Sequence, residues 1–286
     1  MEVVEANIGN WYIQCIPQDG ARISVLRFEG KDLLTSNPST FKAPENSYGE
    51  YENRPVYGYD DCFPTVDSCI YPPGQFPLRD HGEICWLKWK VHIAGNCLIC
   101  STDCIRPKVT FIRTLEFNRN ILKWKFEVLN RSDEMIPFLH VMHAVIPLKE
   151  IHYFKLPEFG KIKNEIDSND LDLNDADSAS NYIKAIPSGE YAMILLKEIN
   201  VGSVIVGYQN GLNLSMSFDI ELFPTLGVWW NNSAYPEEKG LERNECAFEP
   251  VPGTCSDLSK SFNEGIYMIA QPEKSVCWEI TWEIQK

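Results

Sequence analysis

"LKWKFEV", residues Leu122–Val128, alternates two kinds of side chain. Leu122, Trp124, Phe126 and Val128 alternate with Lys123, Lys125 and Glu127. A period of two sends the apolar side chains to one face and the charges to the other, as in a half-buried antiparallel strand. The same alternation runs through "LNLSMSFDI" (Leu212–Ile220), "WEITWEI" (Trp278–Ile284) and "WKVHI" (Trp89–Ile93). Helical spacing is nearly absent; a short helix is expected around Leu258–Asn263. Strands occur near both termini, and no repeat or linker divides the chain. The expectation is an all-β protein, with one large antiparallel architecture over residues 1–286 rather than two domains.

Composition narrows the function. The chain has 286 residues, 44% hydrophobic and 23% charged, with a net charge of −14. So acidic a surface argues against a nucleic-acid backbone or an anionic membrane as partner, and leaves a neutral small molecule open. The start, "MEVVEANIGNWYIQC", has neither a basic region nor a long apolar run, so no secretory signal or membrane anchor is expected. The ten cysteines then read as mostly reduced thiols, and the expected location is cytoplasmic.

Two segments break the strand pattern. Residues 37–80 are rich in Pro, Gly, Tyr and Asp, and a long irregular stretch in a compact protein is often functional. Residues 164–181, "NEIDSNDLDLNDADSASN", are acidic and poor in apolar side chains, which predicts an exposed, mobile loop. Asp170, Asp172 and Asn174 match the first ligands of a calcium-binding loop. The sixth place, which needs glycine, is Asp175, and the twelfth is Asn181, so the match fails. Cys97, Cys100 and Cys104 lack the second pair that zinc needs, and positions three apart on a strand face opposite sides. They read as core residues.

Other residues carry chemistry. Glu249 stands between Phe248 and Pro250 in "NECAFEPVPG". A carboxylate in such surroundings is paired or used, and apolar neighbours raise its pKa toward neutrality, where it serves as a base. His81 lies in "LRDHGEICWLKW", where a loop meets a strand, beside Arg79 and Asp80. His140, His143 and His152 cluster in "PFLHVMHAVIPLKEIHYF", and His92 falls on a polar strand face. In "FPTLGVWWNNSAYP", Trp229, Trp230 and Tyr235 adjoin Asn231 and Asn232. Aromatic faces beside amides suit a sugar, whose C–H surfaces stack and whose hydroxyls take hydrogen bonds; a buried aromatic strand before a turn reads equally well.

The order of these pieces resembles the galactose mutarotase-like proteins, or aldose 1-epimerases. The likeness runs through "GARISVLRFEGKDLL" (Gly20–Leu34), "DDCFPTV" (Asp60–Val66), "DHGEICWLKW" (Asp80–Trp89), "FEVLNRSDEMIPFLHVMHAVIPL" (Phe126–Leu148), "FPTLGVWWNNSAYP" and "AFEPVPGTCSDLS". It is nearest to the divergent branches of that family. The resemblance implies a large β-supersandwich with an open cleft and interconversion of the α and β anomers of an aldose. It assigns Glu249 as general base, His143 as general acid and His81 as the second histidine, with His152 a rival to His143. It implies no metal and no cofactor. Asp61, Arg79, Trp229 and Asn231 are expected substrate contacts by their position at the cleft. The expected partner is a small sugar, with the chain a monomer or homodimer. A hexose 6-phosphate, held by Arg54 and Arg79, and a non-catalytic sugar-binding role are the alternatives.

Overall fold

The computed structural model describes residues 2–37, 51, 54–236 and 242–286. Residues 38–50, 52 and 53 of the 37–80 segment therefore lie outside the described residues. Three antiparallel sheets carry the fold. The largest has eight strands in the order Ile151–Lys155, Ser203–Tyr208, Asn213–Ser217, Ser275–Gln285, Ile121–Asn130, Val109–Asn118, Cys97–Cys104 and Lys90–Ala94. The second runs Ile146–Pro147, Asn244–Val251, Thr225–Asn232, Glu190–Lys197, Lys161–Asn164 and Asn169–Asp170. The third runs Val4–Ile8, Trp11–Ile16, Arg22–Phe28, Tyr59–Cys62 and Val141–Ala144, with Lys31–Asp32 beside Arg22–Phe28.

The alternation read in the sequence sets the register. Phe126 faces Trp278 and Trp124 faces Ile280, so one face of both strands is apolar. On the other face Lys123 donates to Glu279 at 3.0 Å. A one-residue slip would exchange the two faces, so burial pins the pairing. The inner face meets both smaller sheets. Tyr59 lies 4.4 Å from Trp124 between ring centroids, and Phe154 lies 5.5 Å from Trp230 and 5.4 Å from Phe248. One continuous cluster of buried side chains draws on all three sheets. Each large apolar side chain buried there contributes about 1.5–3 kcal/mol.

Two expectations change. The segment before residue 80 is not wholly irregular, since Tyr59–Cys62 is a strand and Cys69–Ile70 pairs with Pro77–Leu78. "YDDC" hides its strand character because both of its faces are buried, and its carboxylates are neutralised by buried arginines rather than by water. The acidic segment is not a bare loop either. Asp175 caps a helix, Ala176–Lys184, by accepting from the backbone N of Ser178 at 2.7 Å. Ala179 and Ile183 bury one side of it, while Asp172, Asp175 and Asp177 face solvent. The expected short helix is Leu258–Glu264. No helix among the described residues is long and apolar enough to cross a membrane.

Candidate active site

A cavity of about 590 Å³ opens between the second and third sheets. Strand pairing decides which side chains reach it. Gly227 pairs with Glu249, and Trp229 with both Ala247 and Met193. Paired residues share a face, so Tyr191, Met193, Trp229 and Glu249 line one wall. Val228, Trp230 and Phe248 turn to the core. Gly227 leaves room beside the carboxyl, since a Cβ there would lie 2.7 Å from the Met193 Cε and 3.5 Å from the Glu249 Cβ.

Glu249 is only 4% exposed, and its carboxyl forms no hydrogen bond or ion pair with any described residue. Burial is the main cause that pushes its pKa up to about 7; His143 opposes the shift, and Glu165 and Asp60 add to it. A carboxyl so placed exchanges a proton near neutral pH.

The opposite wall carries the histidines. His143 pairs with Asp60 across adjacent strands, and its Nδ1 lies 2.9 Å from Asp60 Oδ1. Burial works to raise the Asp60 carboxyl, but Arg22, His143 and Arg54 outweigh it and hold the group well below the usual carboxylate range. Asp60 is therefore an anion, Nδ1 carries the hydrogen it accepts, and Nε2 is left for the cleft. The Tyr51 hydroxyl, 3.0 Å from Nδ1 and 3.1 Å from Asp60 Oδ2, completes the support.

His81 reaches the cavity from a tight turn. Its backbone has φ 59°, a left-handed conformation that side chains disfavour and that recurs at functional sites. Its backbone N donates to Val66 O at 2.5 Å. The next residue must be glycine, for a Cβ on Gly82 would lie 2.0 Å from Phe63 O. The ring stacks on Tyr51 at 3.5 Å and lies 5.0 Å from the His143 ring. Its Nδ1 is 3.0 Å from Asp80 Oδ2.

The structure thus brings Glu249, His143, His81 and Trp229 together. The other expected contacts sit elsewhere. Asp61 is sealed behind the wall, bound by Arg113, Tyr59 and, at 3.0 Å, His140. It is one residue from Asp60 and so faces the other side of its strand. Asn231 shares the face of Trp229, but its amide holds the following turn. Nδ2 donates to Tyr235 O at 2.8 Å, and Oδ1 accepts from Tyr235 N at 2.9 Å. Arg79 does not line the cavity and lies 3.9 Å from Glu83. His152 is exposed at the edge of the eight-stranded sheet, outside the cavity.

Several lining residues were not anticipated from the sequence. Tyr191 stands 5.6 Å from Trp229 and, with Tyr235 of the aromatic stretch already read in the sequence at 5.7 Å, extends it into an aromatic wall. Glu165, from the acidic segment, accepts from Ser256 N at 3.0 Å and Ser256 Oγ at 2.6 Å. Asp67 is pushed up to about 7, first by burial and then by Glu165 and Asp80. Asp60 adjoins Asp61 in sequence, and its strand pairing with His143 distinguishes the two.

Solved structures share this architecture. A galactose mutarotase-like protein from Clostridium acetobutylicum superposes with a TM-score of 0.72 at 16% identity, covering 99% of this chain and 95% of that one. The fold is that of the galactose mutarotase-like proteins. A galactose mutarotase related enzyme from Lactobacillus acidophilus gives 0.71 at 16% identity, covering 100% and 98%. A galactose mutarotase-like protein from Lactobacillus casei gives 0.68 at 12% identity, covering 99% and 100%. No protein-family model and no curated protein matches the sequence.

Proposed function

We propose that the chain is an aldose 1-epimerase acting on an unphosphorylated sugar. The observation that carries this reading is a buried Glu249 carboxyl, unpaired among the described residues and pushed up to about 7, sharing one cavity with a histidine oriented by Asp60. Glu249 takes the proton from the C1 hydroxyl. Protonated His143 gives its Nε2 proton to the ring oxygen, the C1–O bond breaks, and an open-chain aldehyde forms. Rotation about C1–C2 turns the other carbonyl face toward the attacking hydroxyl. On closure His143 takes the proton back from that hydroxyl, Glu249 returns its own to the C1 oxygen, and the opposite anomer leaves. A base whose pKa is pushed up to about 7, facing an imidazole that can pass a proton through Nε2, suits this reversible shuttle. His81 steadies the ring oxygen or a neighbouring hydroxyl, and Trp229 stacks on the C–H face.

A phosphorylated sugar is disfavoured. Asp67, Asp80, Glu165 and Glu249 line the cavity, and besides the two histidines the described lining residues include one lysine or arginine, Arg243. Arg243 donates to Glu245 at 2.6 Å. Arg54 is buried against Asp19 and Asp60, and Arg79 lies outside the cavity. The test is anomer exchange by NMR over a panel of aldoses and aldose 6-phosphates. Exchange above the buffer rate on a neutral aldose, lost in Glu249→Gln and in His143→Asn, is the expected result. Sugar binding without exchange in the folded wild type would instead make the chain a binding protein.

A further inference from the structure

Cys62 has no task in that reaction, yet it lies against the reacting groups. It follows Asp60 by two residues on the same strand, so both side chains face His143. One donor atom from each of Cys62, His81 and His143 lies within 4.8 Å of the other two. Both histidines engage a carboxylate through Nδ1, His143 with Asp60 at 2.9 Å and His81 with Asp80 at 3.0 Å. Metal binding through the two Nε2 atoms would keep both of these bonds. A carboxylate behind each imidazole is the arrangement that fixes a metal-binding histidine and raises its basicity. Finding it twice around one thiol separates this cluster from a chance meeting of three side chains.

We propose that Cys62, His81 and His143 bind one divalent cation of the zinc class beneath the cleft, with the fourth position open to water or to Glu249. A thiolate with two imidazoles selects zinc or cobalt over magnesium or calcium, which prefer oxygen donors. Tetrahedral zinc places such donors about 3.5 Å apart, so the cluster must tighten by about 1 Å. Cys62 and His143 are fixed on paired strands. The backbone of His81 is held in its tight turn, so the movement is a rotation of its ring off Tyr51. On binding, the thiol proton leaves to solvent and a sulfur–metal bond forms, with no redox change. Metal binding stands on this geometry alone. Its consequence rests on the proposed function: the metal occupies His143 Nε2 and stops anomer exchange.

The test uses the reduced, metal-free full chain titrated anaerobically with cobalt(II) chloride. The expected spectrum has a thiolate-to-cobalt charge-transfer band and the strong visible bands of tetrahedral cobalt, saturating at one equivalent and displaced by zinc chloride. Cys62→Ala should abolish the charge-transfer band. His81→Ala, at a partly exposed side chain, should weaken binding roughly tenfold or more, and it tests the site even if the buried alanine variant fails to fold. A wild type without the band overturns the proposal. So does a band that persists in folded Cys62→Ala, which would assign it to another of the ten cysteines. Zinc should inhibit anomer exchange with the same midpoint as binding; full exchange at saturating zinc removes the inhibitory role. If no sugar is exchanged even without metal, the proposed function fails while the cobalt spectrum still decides the site.

Discussion

Two histidine–aspartate pairs sit back to back in this molecule. Asp60 holds His143 at 2.9 Å on the cleft side, and Asp61 holds His140 at 3.0 Å on the core side. The aspartates are adjacent, and the histidines are three residues apart. The aspartates' offset turns them to opposite faces of Tyr59–Cys62; His143 meets Asp60 from the strand Val141–Ala144, and His140 meets Asp61 from just before that strand. Each aspartate is neutralised by buried arginine, Asp60 by Arg22 and Arg54, Asp61 by Arg113. The difference is what lies beyond the imidazole. His143 faces the cavity and Glu249, whereas His140 meets Phe126 at 4.4 Å and accepts from Trp278 Nε1 at 3.3 Å. Burial lowers the pKa of His140, against the pull of Asp61, and keeps the ring neutral in the core. Identical residue pairs thus have different uses, and the strand face alone assigns them.

The largest effect is expected on the core side. Arg113→Leu leaves the Asp61 charge buried without its main partner. A loss of about 3–5 kcal/mol in unfolding free energy is expected, read by urea denaturation. An unchanged midpoint would show that Asp61 is not the buried anion described here. On the cleft side the loss should be of rate. His143→Asn is expected to slow anomer exchange about 10²–10⁴-fold while stability moves by about 1 kcal/mol or less. His140→Asn should do the reverse, lowering the melting temperature and leaving exchange within a few-fold. If both variants lost stability equally and neither lost rate, the two faces would be equivalent and the mechanism wrong.

The fold was legible because its signal is local. Alternation in Leu122–Val128 and Trp278–Ile284 needs only neighbouring residues, and the register of the pair follows from which face is apolar. Glu249 was legible for a related reason, since a carboxyl among apolar neighbours stands out wherever the chain goes. Asp60 and Asp61 were not separable, because "YDDC" is buried on both faces and shows no alternation. Tyr51 and Glu165 reach the cavity from segments remote from Glu249 and His143, and nothing beside them in sequence announces it. Asn231 misled for a different reason: an amide next to an aromatic residue serves a turn as readily as a sugar.

The pH dependence opposes the two sides as well. Asp60 and Asp61 have lowered folded pKa values, so their stabilisation is present above the ordinary value of 3.8 and is lost as pH falls through their folded values. Glu249 has the opposite sign. Its folded pKa is raised from 4.5 to about 7, so the folded state holds the proton more tightly. Stability should fall as pH rises from 4.5 to about 7, then level off. The accumulated cost is about 3 kcal/mol. Glu249→Gln, which cannot ionise, should therefore be more stable than wild type at pH near 8 by about that amount, yet inactive. Wild-type exchange should decline as acidity increases through about 7, as the base is protonated. A glutamine variant no more stable than wild type at alkaline pH would mean that the carboxylate is well solvated, and the case for a tuned base would fall with it.

The smallest effect separates two neighbours on a single face. Trp229 and Asn231 point the same way from one strand, but Trp229 lines the cavity and Asn231 is fully enclosed by its turn. Trp229→Ala removes an aromatic surface from the sugar, a loss of about 0.5–1.5 kcal/mol. It should appear as a roughly two- to tenfold higher KM with kcat little changed, because stacking on a ring face is nearly the same before and during ring opening. Asn231→Ala removes the hydrogen bonds to Tyr235 instead. Its first effect should be a lower melting temperature, with KM rising only as far as the loosened turn lets Tyr235 leave Trp229. Measuring KM and melting temperature together for both variants tells contact from support. A larger KM change in Asn231→Ala at unaltered stability would place that amide on the sugar after all.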